Sequence, residues 1–352
     1  MKKLIAMLLA LAMVLSLAAC GAKEEVAAPA APAETQAAAP AAPAAPENDK
    51  LVVGFAQIGQ ESGWRDAETN DIQWYAARNT DTIELHFADA QQKQENQIKA
   101  IRNFIEMGVD VIAFPPVVET GWEAVLTECK EAGIPVILVD RGIDANADPE
   151  LYTTMIASDH VWAGEQAAIV MNELLGGEGK VVELEGTVGA SAAVQRKQGF
   201  DEYIAANCPG IEIIASQTGD FTRAMGKEVM ESFLKTYDDF NVVYCHNDNE
   251  AYGAMDAMDA AGITYGVDGD VIIISFDATH DGLQYTLDGK IHCNVECNPI
   301  QALYVSDIIQ MMEAGEEFPT YTLVKDEAFV APGIESAYAI TMTQEILDGR
   351  AY

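Results

Sequence analysis

From residue 51 onward, short apolar runs alternate with longer stretches of helical periodicity, and this alternation strongly limits the folds open to the chain. The apolar runs are uninterrupted by polar residues at every second position, which is typical of parallel strands buried on both faces. Ten runs are predicted as strands: 51–56, 83–87, 111–114, 136–139, 152–157, 180–184, 211–216, 242–245, 271–275 and 291–295.

The stretches between these strands have the spacing of amphipathic helices. The main helical predictions are 92–107, 121–132, 160–175, 190–207, 224–237, 251–261 and 300–313. Strand and helix in alternation predict a doubly wound α/β fold. Ten strands in one open sheet are uncommon, and about 300 residues are twice the size of a typical domain. We therefore expect two sheets of five or six strands.

The N-terminus carries a secretion signal. Lys2 and Lys3 precede an apolar run that ends in Leu-Ala-Ala-Cys at Cys20, so residues 1–19 are predicted to be a cleaved signal peptide. The apolar run is short for a membrane span, which needs about 20 residues. The ending resembles the bacterial lipoprotein signal, in which Cys20 becomes the lipidated first residue. Ordinary secretion with an incidental cysteine is the alternative.

Residues 20–50 are predicted to form a tether behind the lipidated cysteine. The stretch 21–50 contains 13 Ala and 5 Pro and has no apolar periodicity. Such a composition buries too little surface to offset the entropy of ordering the chain. We expect an extracytoplasmic protein that is held at the cell membrane by its lipid anchor alone.

The charge of the chain excludes several partners. With 20 basic and 56 acidic residues, the net charge is −36. This field repels nucleic acids and anionic lipid headgroups, and it disfavours anionic ligands unless a local arginine cluster overrides it.

No metal site or cofactor is predicted. The five cysteines after residue 50 are an odd number without zinc-like spacing, and we interpret them as small core residues. Asp144, Asn146 and Asp148 have the spacing that opens a calcium loop, but the required Gly and Glu are missing, so a turn is predicted.

Aromatic and charged residues follow the predicted strands, where ligands bind in open α/β sheets. Carboxylates, guanidinium groups and amides suit the vicinal hydroxyls of a neutral polyol, and an aromatic ring suits the C–H face of a sugar. The sequence therefore predicts a cleft for a small polar molecule. The candidate ligand-binding residues are Trp64, Arg65, Glu68, Asp140, Arg141, Arg196, Phe221, Asn247 and Asp277.

Four of these candidates, and Asp248 beside Asn247, also have a structural interpretation. Trp64, in the first turn of a helix, is as compatible with a core residue as with an aromatic surface for ligand stacking. Glu68 and Arg196 are also compatible with solvent-exposed charged residues. Asp248 and Asp277 at strand ends suit helix caps.

Several long blocks carry a family resemblance: 61–65 (Glu-Ser-Gly-Trp-Arg), 88–100, 116–118, 183–191, 219–223, 226–233 and 246–248. They resemble the type I periplasmic sugar-binding proteins, the solute receptors of ABC importers, and most closely the galactofuranose-binding members. The resemblance covers about residues 51–300.

The resemblance implies two lobes joined by a three-crossing hinge near 157–159, 297–298 and 329–332. Lobe one then holds 51–157 and 298–328, and lobe two holds 158–297 and 329–352. It also implies a monomeric receptor, not an enzyme, that closes on a monosaccharide and docks on an ABC permease. Lobe one contributes the candidates up to Arg141, and lobe two contributes the others.

The sequence departs from the family pattern at two positions. Cys297 stands where many relatives have Gln, and Ala278 stands where a Gly is expected. Glu296 is therefore a further candidate for a hydroxyl contact.

The sequence leaves other functions to consider. A sugar-sensing receptor of the same fold that signals to a membrane partner is the alternative function. A sugar-modifying enzyme is disfavoured because no carboxylate pair at glycosidase spacing stands out. A DNA-binding repressor is excluded by the secretion signal.

Overall fold

The computed structural model describes residues 50–352. The predicted signal peptide, the predicted lipidation site at Cys20 and the predicted tether up to residue 49 lie outside the described residues. Within the described part of the chain, no helix combines the length and the apolar character needed to cross a membrane.

The first sheet has six strands, all paired in parallel, in the order β11-β5-β4-β3-β1-β2. Its strands are β1 (Leu51–Gln57), β2 (Ile83–Asp89), β3 (Val111–Phe114), β4 (Val136–Val139), β5 (Thr154–Ser158) and β11 (Tyr321–Val324). Every residue of β3 and β4 is buried, as their continuous apolar character predicts.

The second sheet has seven strands in the order β13-β12-β10-β9-β8-β6-β7. Its strands are β6 (Glu178–Glu185), β7 (Gly210–Thr218), β8 (Val242–Cys245), β9 (Ile272–Asp277), β10 (Cys293–Glu296), β12 (Ala328–Val330) and β13 (Ile340–Thr341). All neighbours pair in parallel except β10 and β12, which are antiparallel.

Helices cover both faces of each sheet. They are α1 (Gly63–Arg78), α2 (Gln94–Met107), α3 (Glu123–Ala132), α4 (His160–Leu175), α5 (Ser191–Asn207), α6 (Arg223–Thr236), α7 (Asp248–Ala261), α8 (His280–Leu287), α9 (Ala302–Ala314) and α10 (Gln344–Asp348). In the first sheet, α2 and α3 pack on one face and α1 and α9 on the other. In the second sheet, α4 and α5 pack opposite α6 and α7.

These layers form two α/β lobes with one core on each face of each sheet, which confirms the predicted fold class. The chain passes between the sheets three times, after β5, after β10 and after β11. The sequence predicts ten strands in two sheets of five or six, whereas the structure has thirteen strands in sheets of six and seven. The three strands that the prediction lacks are β11, β12 and β13, which are short and lie after residue 320.

Candidate functional site

A small cavity of about 20 Å³ lies where strand ends of both sheets meet. Its lining residues come from both lobes: Glu61, Ser62, Trp64, Arg65, Asp140, Arg141, Ala192, Arg196, Phe221, Asn247, Asp277 and Cys297. Eight of the ten candidate residues are therefore brought together, and all eight are at most 4% exposed.

The start of α1 aims two side chains at the cavity. Ser62 caps the helix, and its hydroxyl accepts from the backbone N–H of Arg65 at 3.2 Å. This cap fixes the first turn, which carries Trp64 and Arg65. The indole Nε1 of Trp64 donates to the backbone carbonyl of Cys297. Trp64 is thus both buried, as a core residue would be, and part of the cavity wall.

Arg65 is surrounded by three carboxylates. Its guanidinium donates to Asp140 Oδ2 at 2.6 Å, to Glu61 Oε1 at 3.2 Å from Nε, and to Glu68 Oε2. Burial lowers the pKa of Arg65, but the charges of Glu68, Asp140 and Glu61 outweigh it and raise that pKa well above its ordinary value. Arg65 therefore stays charged in the closed cavity.

Arg141 lies beside Arg65 and reaches across the cleft. Its Nη2 donates to the same Glu61 Oε1, and its guanidinium carbon lies 5.0 Å from the centre of the Phe221 ring in the other lobe. Its Nε is buried and has no hydrogen-bond partner in residues 50–352, although Asp140 Oδ2 lies 3.7 Å away. Because an unpaired buried donor is costly, this atom is suited to a ligand acceptor.

Arg196 on α5 has the same role in the second lobe. Its Nη1 donates to the His246 carbonyl and its Nη2 to Asp277 Oδ1 at 3.3 Å. Its Nε, too, lacks a partner among the described residues. Burial raises the pKa of Asp277 to about 7, although the charge of Arg196 acts in the opposite direction. Arg196 is not the solvated charge that its helical position suggested, since it is 3% exposed.

Asn247 and Phe221 are held together at the start of α7. Asn247 caps this helix by accepting from the Glu250 N–H at 2.8 Å, and its Nδ2 donates to the Phe221 carbonyl at 3.0 Å. Gly186 makes room for the Phe221 ring, because a Cβ at this glycine would lie 2.1 Å from Phe221 Cζ. The ring therefore depends on a glycine in the neighbouring strand-end loop.

Three cavity residues have left-handed backbone conformations that non-glycine residues rarely adopt. The φ angles are 62° at Asp140, 57° at Phe221 and 92° at Asp277. Such strain persists only where the surrounding structure fixes it, and it clusters at functional sites. The strained backbone turns these side chains toward the cleft at the strand ends.

The two lobes are closed on each other in this structure. The Gly142 N–H donates to Ser191 Oγ at 2.9 Å, and the Glu119 N–H donates to the Gly189 carbonyl at 2.8 Å. Each bond joins a residue between β1 and β5 to one in the loop or helix after β6. The cavity is therefore enclosed between the lobes.

Two candidate residues lie elsewhere. Glu68 does not line the cavity; it is fully buried behind Arg65, where Gln57 Nε2 also donates to it at 3.0 Å. Glu296 faces away from the cavity and binds Tyr352, Arg350 and the Glu327 N–H. The expectation that Glu296 contacts ligand is wrong because side chains alternate along a strand, and it is the next residue, Cys297, that reaches the cavity.

The expected helix caps are also settled by the hydrogen bonds. Thr279, not Asp277, caps α8 by accepting from the Gly282 N–H at 3.2 Å. Asp248 is the first residue of α7 and ties the start of this helix to β9 and β10 through Ser275 and Asn294.

Four of the twelve lining residues were not among the candidates: Glu61, Ser62, Ala192 and Cys297, the last of which the sequence marked only as a departure from the family pattern. Glu61 stands in the segment after the first strand that also carries Trp64, so its position was the available signal. Ala192 offers no chemical signal in the sequence.

Asp140, His160 and Cys297 are the one group in residues 50–352 with three potential metal-ligand atoms within 4.8 Å of one another. Burial lowers the pKa of His160 to about 4, and the charge of Arg196 adds to this effect. The Asp140 carboxylate already binds Arg65. Because guanidinium groups stand on both sides of this trio, the site disfavours a cation and favours hydrogen bonding to a neutral molecule.

Three comparisons connect the chain to known proteins. The profile of the periplasmic binding protein domain matches residues 53–313, a range that includes all the cavity-lining residues. The galactofuranose-binding protein YtfQ of Escherichia coli K12 is 45% identical over 285 residues, covering 80% of this chain and 88% of that protein.

Two solved structures superpose closely. One is a Mycobacterium smegmatis protein in complex with β-D-fucofuranose, with a TM-score of 0.76, 48% identity, and coverage of 80% of this chain and 91% of that one. The other is the binding component of an arabinose ABC transporter from Shewanella sp. ANA-3 bound to L-arabinofuranose, with a TM-score of 0.75, 42% identity, and coverage of 80% and 92%. The chain belongs to the periplasmic binding protein family and has its type I fold.

Proposed function

We propose that this chain is an extracytoplasmic receptor that captures a monosaccharide in furanose form between its lobes and delivers it to an ABC permease. The observation that carries the proposal is the enclosed cavity, in which aromatic rings and guanidinium groups from both lobes converge. The Nε atoms of Arg141 and Arg196 have no hydrogen-bond partner among the described residues, so each side of the cleft offers a donor to a ligand.

The charges of the cavity favour an uncharged ligand. Three guanidinium groups (Arg65, Arg141 and Arg196) stand against three carboxyl groups (Glu61, Asp140 and Asp277), of which Asp277 has its pKa raised to about 7. This nearly balanced set leaves at most a fraction of one charge for an ionic ligand to neutralise, but it offers donors and acceptors in the forked geometry that suits vicinal hydroxyls. Trp64 and Phe221 add apolar faces for the C–H side of a sugar ring.

The furanose form is supported by the relatives. The two solved relatives hold furanose sugars, and the E. coli relative is named for galactofuranose. Both solved relatives match 80% of this chain, at 48% and 42% identity.

Closure of the lobes is the proposed mechanism. Lobe one comprises residues 51–157 and 298–328, and lobe two comprises 158–297 and 329–352. A sugar contacts both sets of residues only when the cleft is shut, so binding shifts an open–closed equilibrium toward the closed form. The Gly142–Ser191 and Glu119–Gly189 hydrogen bonds then add to the ligand contacts.

The proposal includes a lipid anchor on Cys20 after removal of residues 1–19, with residues 20–50 as the tether. It is supported by the Leu-Ala-Ala-Cys motif. Metabolic labelling with a radioactive fatty acid tests it: the wild-type chain should be labelled and sediment with membranes, and the Cys20→Ser chain should not be labelled. A labelled Cys20→Ser protein would contradict the anchor.

Binding is tested by isothermal titration calorimetry on residues 51–352 with arabinose, galactose, fucose, ribose, fructose and glucose 6-phosphate. We expect saturable binding of at least one neutral sugar that populates a furanose form. Arg141→Ala should abolish it because buried acceptors lose their donor. Arg102→Ala is the matched control, since Arg102 pairs with Glu128 on the surface. Preference for the phosphorylated sugar, or no binding of any neutral sugar, would refute the proposal.

A further inference from the structure

The Glu296 carboxylate, outside the cavity, joins three separate segments of the chain. Its Oε1 accepts from the Tyr352 hydroxyl at 2.7 Å and from Arg350 Nη1. Its Oε2 accepts from the Glu327 N–H at 3.0 Å, and its own N–H donates to the Glu327 carbonyl at 2.8 Å. Glu296 therefore ties the C-terminal tail (residues 350–352) to two of the three segments that connect the lobes.

Arg350 and Tyr352 both hold the C-terminal tail in place through their contacts with the rest of the chain. Arg350 Nη1 also donates to the Tyr352 hydroxyl at 2.6 Å, and its guanidinium carbon lies 5.2 Å from the centre of the Phe329 ring in β12. The Tyr352 carbonyl accepts from the His280 N–H at 2.6 Å. The side chains of Arg350 and Glu296 are 9% and 7% exposed. These contacts shield the ion pair from water, so the attraction between its two charges is screened less than in a surface pair.

Glu296 is joined directly to the cavity through the next residue. Cys297 lines the cavity, and its backbone carbonyl accepts from the indole Nε1 of Trp64. The Cys297 carbonyl belongs to the same peptide group as the Asn298 N–H, which donates to Asp326 Oδ1 at 2.9 Å. Asp326 directly precedes Glu327, whose N–H and carbonyl are both bound by Glu296. Glu296 therefore acts on the direction of this carbonyl from both sides, along the strand and through residues 326–327.

We propose that the C-terminal tail is a positioning element for the aromatic wall of the cavity: Arg350 and Tyr352 hold Glu296, and thereby the Cys297 carbonyl that orients Trp64. The tail itself does not line the cavity. It sets ligand affinity through the direction of one carbonyl group. The proposed effect on ligand affinity rests on the proposed function, whereas the proposed effect on the Trp64 indole does not.

The first test needs no sugar. In the ¹H–¹⁵N spectrum, the Trp64 indole resonance is assigned by its absence in Trp64→Phe. Tyr352→Phe and Arg350→Gln should shift this resonance and speed its hydrogen exchange about three- to tenfold. Tyr338→Phe is the matched control, because Tyr338 is an exposed tyrosine that precedes the C-terminal tail. An unchanged Trp64 indole in both tail variants would overturn the proposal, whether or not any sugar binds.

The second test is a double-mutant cycle on the Kd of the sugar found by calorimetry. Tyr352→Phe should raise Kd about three- to tenfold in the wild-type background and have no further effect in the Trp64→Phe background, which lacks the indole donor. Equal weakening in both backgrounds would show that the tail acts by another route and would overturn the proposal. Thermal unfolding of each variant separates this effect from loss of the fold.

Discussion

One carboxylate oxygen, Glu61 Oε1, holds two arginines of the first lobe at once. It accepts from Arg65 Nε at 3.2 Å and from Arg141 Nη2, while Asp140 Oδ2 holds Arg65 from the other side. Side chains fixed in this way lose little further entropy when a ligand binds. The arginines are therefore preorganised, and Arg141 Nε stays available to a ligand.

At the residue scale, Trp64→Ala should weaken sugar binding at least about tenfold, or roughly 1.4 kcal/mol, because the sugar loses an apolar wall. The fold should persist, since the rest of α1 is unchanged. Calorimetry on the variant checks this. Trp74→Ala is the matched control, because Trp74 lies on the same helix but is 56% exposed and outside the cavity. Equal losses in both variants would contradict a specific role for Trp64.

The residues also show where sequence reasoning works and where it fails. Arg65 and Arg141 were found because they follow strands, and strand ends of parallel sheets converge. Trp64 and Glu68 share a helix face, as their spacing predicts, but Glu68 is turned to Arg65 and not to the cavity. The sequence indicates which face of a helix a side chain occupies, whereas the residue that it contacts on that face depends on tertiary packing.

At the scale of elements, buried strands are the best predicted. β3, β4 and β8 have the predicted bounds because each is a four-residue apolar run buried on both faces. Helix α1 was not among the main helical predictions, since its buried face contains Arg65 and Glu68 in place of apolar residues. The short edge strands β11 and β13 have exposed residues and carry no comparable pattern.

Helices α4 and α5 pack closely enough to place Arg196. A Cβ at Gly164 would lie 2.0 Å from the Arg196 carbonyl oxygen. Gly164→Ala should therefore push α5 away, lower stability by about 1–3 kcal/mol and raise the sugar Kd. Denaturant unfolding and calorimetry measure the two effects. Gln198→Ala, an exposed change on α5, is the control. Reduced stability with an unchanged Kd would show that the packing of α4 against α5 does not determine the position of the Arg196 side chain.

The segment after β11 contains a carboxyl group with a shifted pKa. Burial raises the pKa of Asp326 from 3.8 to about 7, and the charge of Glu296 acts in the same direction; a hydrogen bond from Ser158, one from the Asn298 N–H and the charge of Arg196 oppose it. The folded protein therefore binds this proton more tightly than the unfolded chain. Stability from this group is present below about pH 4 and is lost as pH rises through about 7.

Asp326→Asn should remove that loss. Relative to the wild type, the variant should gain about 1–3 kcal/mol between pH 5 and pH 8, measured by denaturant unfolding at both values. The asparagine keeps an oxygen that can accept from the Asn298 N–H. Asp268→Asn, at an exposed position, should gain nothing. A pH-independent difference between Asp326→Asn and the wild type would contradict the raised pKa.

For the whole molecule, the net charge of −36 contrasts with the balanced charges of the cavity. Raising ionic strength from about 0.01 M to about 0.15 M shortens the Debye length from about 30 Å to about 8 Å and screens the repulsion among surface carboxylates. Tm should rise by about 2–4 °C, the shift that accompanies roughly 1 kcal/mol. The Kd of a neutral sugar should stay constant within about twofold over the same range.

Scanning calorimetry and titration at matched salt concentrations check both outcomes. Glucose 6-phosphate serves as the charged comparison, because repulsion by the acidic surface makes any binding of it salt-dependent. A steep dependence of the neutral sugar's Kd on salt would contradict the balanced cavity.

The order of strands in the first sheet has a consequence for how the chain can be made. β11 pairs with β5, so Tyr321 lies opposite Met155 although the whole second sheet up to β10 separates them in sequence. A ribosome must therefore translate nearly the entire message before the last strand of the first sheet exists. No truncation at a single peptide bond releases a complete lobe, so neither lobe reaches its finished form before the C-terminal part of the chain has been made.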